Sequence, residues 1–159
     1  MNNDCIAAIS TAPAAGGVAI IRISGADALV VAEKMFSPSG RTRVMNFKPR
    51  YMYSGNILAD GGITDFGLCV YFKAPHSFTG EDVVELHCHG GVELSRAVLK
   101  AAVSNGARPA KAGEFTMRAF INGKISLSAA EGMADMINGE STAEVRAGSM
   151  LYSGRLTKE

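Results

Sequence analysis

The segment 77–91, SFTGEDVVELHCHGG, restricts what this chain can fold into more than any other. If residues 83–89 are extended, successive side chains leave opposite sides of the backbone. Val84, Leu86 and Cys88 then share one face, while Val83, Glu85, His87 and His89 share the other. The first face is apolar throughout and belongs against a core. The second sets a carboxylate beside two imidazoles, and charge removed from water needs a compensating partner. Two readings stand at this point: the solvated outer face of a half-buried strand, or a polar site built on a sheet.

The rest of the chain supplies the sheet. Residues 5–9 and 17–23 read as strands, the second rich in branched side chains and preceded by the turn Pro13-Ala14-Ala15-Gly16-Gly17. They form a hairpin-like pair, and Arg22 is the single charge of the second strand, read from spacing alone as a solvent-facing edge residue or as a site cation. A helix is expected over 26–36, capped by Ser24 or Asp27, then a loop over 37–49. Strands follow at 51–58 and 66–72, with Asp60-Gly61-Gly62 as the turn between them. A helix over 92–104 ends where Gly106 can take a left-handed conformation.

Beyond Pro109 the pattern turns helical. Short helices are predicted over about 113–121 and 128–137, separated by Asn122-Gly123. Ser128 with Glu131 and Ser141 with Glu144 both fit the capping box, the second opening a last helix toward Leu156.

Composition narrows the function classes. Sixteen basic residues against fifteen acidic leave a net charge of +1, with no Lys/Arg run long enough for a strong nucleic-acid footprint. No apolar run approaches the roughly 20 residues of a membrane span, and the N-terminus lacks the pattern of a signal peptide. A cytosolic location is the expectation. Cys5, Cys69 and Cys88, odd in number and set among apolar neighbours, suit reduced, buried thiols.

The candidate chemistries divide on geometry. Cys88 faces away from His87 and His89 on an extended strand, which argues against both a metal site and a Cys-His nucleophile pair. Gly123-Lys124 is followed by Ile125 and not by Ser or Thr, so it is no phosphate-binding loop. Lys124 sits between two helices directly after a glycine, where it is either a solvated loop lysine or a long cation reaching over the domain. Glu114 reads as a first-turn acid that suits the helix dipole. Arg118 and Asn122 read equally well as surface residues.

Three segments together resemble a known family: Gly16-Gly17-Val18-Ala19-Ile20-Ile21-Arg22-Ile23-Ser24-Gly25, residues 77–91, and the run 112–124, AGEFTMRAFINGK. Their order and spacing are similar to the N-terminal region of the tRNA-modification GTPases called MnmE or TrmE, and Leu127-Ser128-Ala129-Ala130-Glu131 resembles the start of that family's helical domain. The resemblance implies an α+β fold: a mixed-sheet tetrahydrofolate-binding domain like the aminomethyltransferase of the glycine cleavage system. It places a folate-binding and dimerisation domain at 1–124 and the beginning of a truncated helical domain at 125–159.

The same resemblance implies a fragment of an enzyme that installs 5-carboxymethylaminomethyl groups on the wobble uridine of tRNA. Its cofactor here is 5-formyltetrahydrofolate or a related one-carbon folate. GTP, Mg and K belong to a GTPase domain absent from this chain, so the fragment alone is not expected to be catalytic. The implied partners are a second copy, a flavin-dependent protein of the MnmG (GidA) family, and tRNA through the full complex. Family folate contacts carry over onto Arg22, Glu85 and Lys124. A pterin presents adjacent N–H donors that a fixed carboxylate such as Glu85 accepts as a pair, and cations suit the folate's acceptor groups and anionic tail. Two departures stand out, Ala14-Ala15 in the first turn and Ile125-Ser126-Leu127 after the lysine. The alternatives are a stand-alone folate-dependent aminomethyltransferase-like enzyme, with Glu81, Asp82 or His89 as its acid or base, and a purely structural dimerisation module.

Overall fold

Among the described residues seven strands form one sheet, in the order β3-β4-β5-β6-β2-β1-β7. They are β1 (Ile6–Ile9), β2 (Gly16–Ser24), β3 (Phe36–Pro38), β4 (Met52–Leu58), β5 (Thr64–Phe72), β6 (Val83–Gly90) and β7 (Arg108–Pro109). The computed structural model describes residues 4–155. Every strand pair is antiparallel except β1 with β7, so the sheet is mixed and the fold is α+β. The chain divides into two compact units, one running to Ala112 and one from Gly113.

In the first unit, α1 (Ala28–Met35) and α2 (Val92–Ser104) share one hydrophobic core with a single face of the sheet. Ile21 and Ile23 of β2, Ile57 of β4, Cys69 of β5, and Val84 and Leu86 of β6 meet Val31, Ala32 and Met35 of α1 and Val98 and Ala102 of α2. The β6 parity expected from sequence holds, with Val84, Leu86 and Cys88 buried on the helix side. The opposite face therefore carries the alternate residues: Val18, Ile20 and Arg22, Phe66, Leu68 and Val70, and Glu85, His87 and His89.

Close approach requires glycine at Gly25 and Gly67, among others. Gly25, at φ +143°, turns the chain from β2 toward α1 where a Cβ would lie 2.8 Å from the Cα of Cys5. A Cβ on Gly67 would run into the carbonyl oxygen of His87 on the neighbouring strand.

The structure corrects several local expectations. Arg22 is on a central strand, between β6 and β1, and not at an edge. The first helix starts at Ala28 without a side-chain cap, because Ser24 spends its hydroxyl on Thr79 at 2.7 Å and Glu81 at 2.6 Å. Phe36 leaves that helix to open β3, which takes Ser37 and Pro38 out of the expected loop and pairs them with Asn56 and Gly55. The helix over 92–104 falls where it was expected.

The second unit contains α3 (Glu114–Ile121), α4 (Leu127–Asn138) and α5 (Thr142–Tyr152). Its first capping box is misplaced by two residues: Ser126, and not Ser128, accepts from the Ala129 N–H at 3.0 Å. Ser141 caps α5 as expected, and Glu144 reaches back to the N–H of Glu140. Gly132 and Gly148 let α4 and α5 come into backbone contact, since a Cβ on Gly132 would sit 2.5 Å from the Gly148 oxygen. Arg118 is buried and ion-paired to the equally buried Glu114 at 3.3 Å, which replaces the surface reading of the arginine. Leu156, the expected end of the last helix, lies outside the described residues. Among the described residues no helix is long and apolar enough to cross a membrane.

Candidate functional site

The polar face of β6 is held from its neighbour β2. Register puts Arg22 directly opposite Glu85, and cross-strand partners stand close enough for long side chains to meet. Arg22 donates from Nε at 3.0 Å and from Nη2 at 2.9 Å, both to Oε2 of Glu85. The other oxygen, Oε1, faces Nε2 of His87 at 3.3 Å, the long end of a hydrogen bond. The Arg22 guanidinium also lies 5.3 Å from the ring centre of Phe78, within cation–π range. The Arg22 and Glu85 side chains are 26% and 14% exposed, so the pair is largely but not wholly removed from water.

This arrangement has a chemical consequence. Arg22 holds one carboxylate oxygen with charge-assisted bonds and keeps Glu85 oriented. Oε1 is held by a long contact that an incoming N–H donor can displace at small cost. Arg22 is thus as much the positioning partner of Glu85 as a cation in its own right.

A second polar pair lies four residues along the strand. Asp65 on β5 accepts from the backbone N–H of His89 at 2.9 Å, and its other oxygen lies 2.7 Å from Nδ1. Burial works to raise the pKa of Asp65, but the His89 hydrogen bonds and charge attraction outweigh it, and the carboxyl stays below its ordinary 3.8. The Asp65 side chain is 10% exposed while that of His89 is 69% exposed.

The thiols on the far side are of a different kind. Burial pushes Cys88 up to about 11 and Cys69 up to about 12. Cys88 points into the core and donates to the Ala19 oxygen at 3.6 Å, so no thiolate is offered to the two histidines.

Of the three sequence-derived site residues, Arg22 and Glu85 are brought together. Lys124 belongs to the second unit, exposed on the turn after α3, where Gly123 at φ +70° precedes it and its backbone N–H closes on the Ala119 oxygen. Sequence reasoning missed Asp65 and Phe78. Asp65 carried a usable signal, a lone acid at a core-facing parity position of β5, whereas Phe78 meets Arg22 only through the fold.

The fold and cluster define a class: an α+β unit with helices on one sheet face and an ion-paired carboxylate on the other, followed in the chain by a helical unit. A family profile described as "GTP-binding protein TrmE N-terminus" matches residues 5–124. The "tRNA modification GTPase MnmE" of Francisella tularensis subsp. novicida (strain U112) is 46% identical over 156 residues, covering 98% of this chain and 33% of that protein. That of Clostridioides difficile (strain 630) is 42% identical over 157 residues, covering 99% of this chain and 34% of that protein. The chain belongs to the TrmE N-terminal family, and it spans about a third of the length of the curated relatives it matches.

Proposed function

We propose that this chain is the N-terminal part of a tRNA-modifying GTPase, in which it binds 5-formyltetrahydrofolate or a related one-carbon folate and holds two copies together. The observation that carries the folate reading is the Arg22–Glu85–His87 cluster on the sheet face opposite the helices. The fit is chemical: a pterin edge needs a fixed carboxylate to accept paired N–H donors, and Glu85 is a fixed carboxylate with one weakly engaged oxygen. The donors take the Oε1 side, His87 yields, and Arg22 keeps Oε2. Lys124 joins the proposal through its Asn122-Gly123-Lys124 motif, as the second cation for the folate's acceptor groups and anionic tail.

Homodimerisation is supported by exposed apolar groups elsewhere on the same sheet face, Met52 and Leu58 of β4. In the whole protein the folate supplies the one-carbon unit for wobble uridine, working in the cytoplasm with a flavin-dependent partner of the MnmG family, while GTP, Mg and K act in a GTPase domain. Residues 1–124 are assigned the folate and dimer roles, and 125–159 the start of a helical domain.

Calorimetric titration with 5-formyltetrahydrofolate tests the reading. Saturable binding is expected, and Glu85→Gln should weaken it about 10- to 100-fold, the range for a lost charged hydrogen bond. Absence of binding by a folded chain, or equal affinity in the variant, would sink it.

A further inference from the structure

We propose that His89 is a ligand-binding residue whose exposed nitrogen meets the tail side of a bound folate, beside a recess that takes the ligand's flat aminobenzoyl ring. The proposal rests on the folate reading above and extends it along β6. Asp65, ionised and acceptor-only, lies 2.7 Å from Nδ1 of His89, so Nδ1 carries a proton and the ring turns Nε2 away from the carboxylate. The same carboxylate holds the His89 backbone N–H, which pins main chain and ring together. A buried acid fixing an exposed imidazole is how a histidine is set for one hydrogen bond.

What lies beside that ring determines the partner. A recess of about 280 Å³ is lined by Gly17, Val18, Phe66, Leu68, His87 and His89. A register shift between Gly16 and Val18 opens it, leaving Gly17 without a side chain at the point where the β2–β6 ladder breaks. Val18 and Phe66, 59% and 58% exposed, give it apolar walls of the kind a flat ring covers. His87 belongs to both this recess and the Glu85 cluster, so the two are continuous. Four residues of extended strand separate Glu85 from His89, about 13 Å. An elongated ligand with its polar head on Glu85 therefore runs its apolar middle over His87, and the amide beyond that ring, which offers both an N–H donor and a carbonyl acceptor, meets Nε2.

His89→Asn separates this role from a structural one, because asparagine keeps a donor near Nδ1 for Asp65 and removes Nε2. Wild type and variant are titrated with 5-formyltetrahydrofolate and with a tetrahydropterin lacking the aminobenzoyl-glutamate tail, with thermal melts to check folding. The variant should lose about tenfold in affinity for the whole ligand and nothing for the head alone. In wild type, the ¹⁵N resonance of His89 Nε2 should move on adding the whole ligand and stay put with the head, a readout independent of the variant's folding. Equal affinities for the whole ligand, or an unmoved Nε2 resonance at saturation, overturn the proposal and leave the Glu85 reading standing. Failure of wild type to bind either compound overturns the folate reading itself.

Discussion

Arg22 shows how a side chain's meaning depends on what stands opposite it. In the strand Ile20-Ile21-Arg22-Ile23 it is an interruption; across from Glu85 it is half of an ion pair 63 residues apart in sequence. Local pattern made both residues conspicuous and left their partnership invisible, because strand register is set by the whole sheet. Asp65 makes the sharpest prediction at this scale. Its folded value is depressed, so its contribution to stability is fully present above the ordinary 3.8 and is lost as pH falls through the lower folded value. Asp65→Asn should therefore lower the melting temperature at pH 7, and the gap to wild type should narrow once the pH falls below about 4. A gap that stays constant from neutral to acid conditions would show that the ionised Asp65 carboxylate does not stabilise the fold.

At the scale of elements, the legible features were those with a strong period or strong stop signals. The β6 alternation and the helix over 92–104 were readable because burial parity and a following Gly106 agree with the fold. Caps were readable only where nothing competed. Ser126 and Ser128 both precede the apolar run of α4, and the Glu131 spacing favoured Ser128, yet the chain leaving Lys124 brings Ser126 into extended conformation at the helix start. Ser126→Ala should cost about 1 kcal/mol in the unfolding free energy of the helical unit. Ser128→Ala should stay within about 0.5 kcal/mol, and the reverse ranking in chemical denaturation would refute the cap assignment. In the sheet, Gly67→Ala should destabilise by about 1–3 kcal/mol, since the added methyl meets the β6 backbone and not a movable side chain. A neutral result would mean that β5 and β6 part there without cost.

For the molecule as a whole, one sheet serves two purposes. Its helix-covered face holds the core, with Ile21, Ile23, Val84 and Leu86 buried, and its other face gathers charge, imidazoles and exposed apolar groups. The second face is what makes a binding and pairing role physically reasonable. If Met52 and Leu58 lie in a contact between copies, Met52→Asp should shift sedimentation equilibrium toward monomer by about tenfold or more in dissociation constant. An unchanged dimer would put the contact elsewhere. The helical unit was legible as helix but not in its packing, because Gly132 and Gly148 appear in sequence only as helix-weakening residues and gain their purpose when α4 and α5 touch.

In the proposed site Glu85, positioned by Arg22, reads the pterin. A crystal structure of the chain with 5-formyltetrahydrofolate tests it most directly. Pterin N–H donors are expected within about 2.7–3.2 Å of the Glu85 carboxylate, with His87 displaced from Oε1 and Arg22 still on Oε2. A ligand bound elsewhere, with Arg22, Glu85 and His87 in their present contacts, would contradict it.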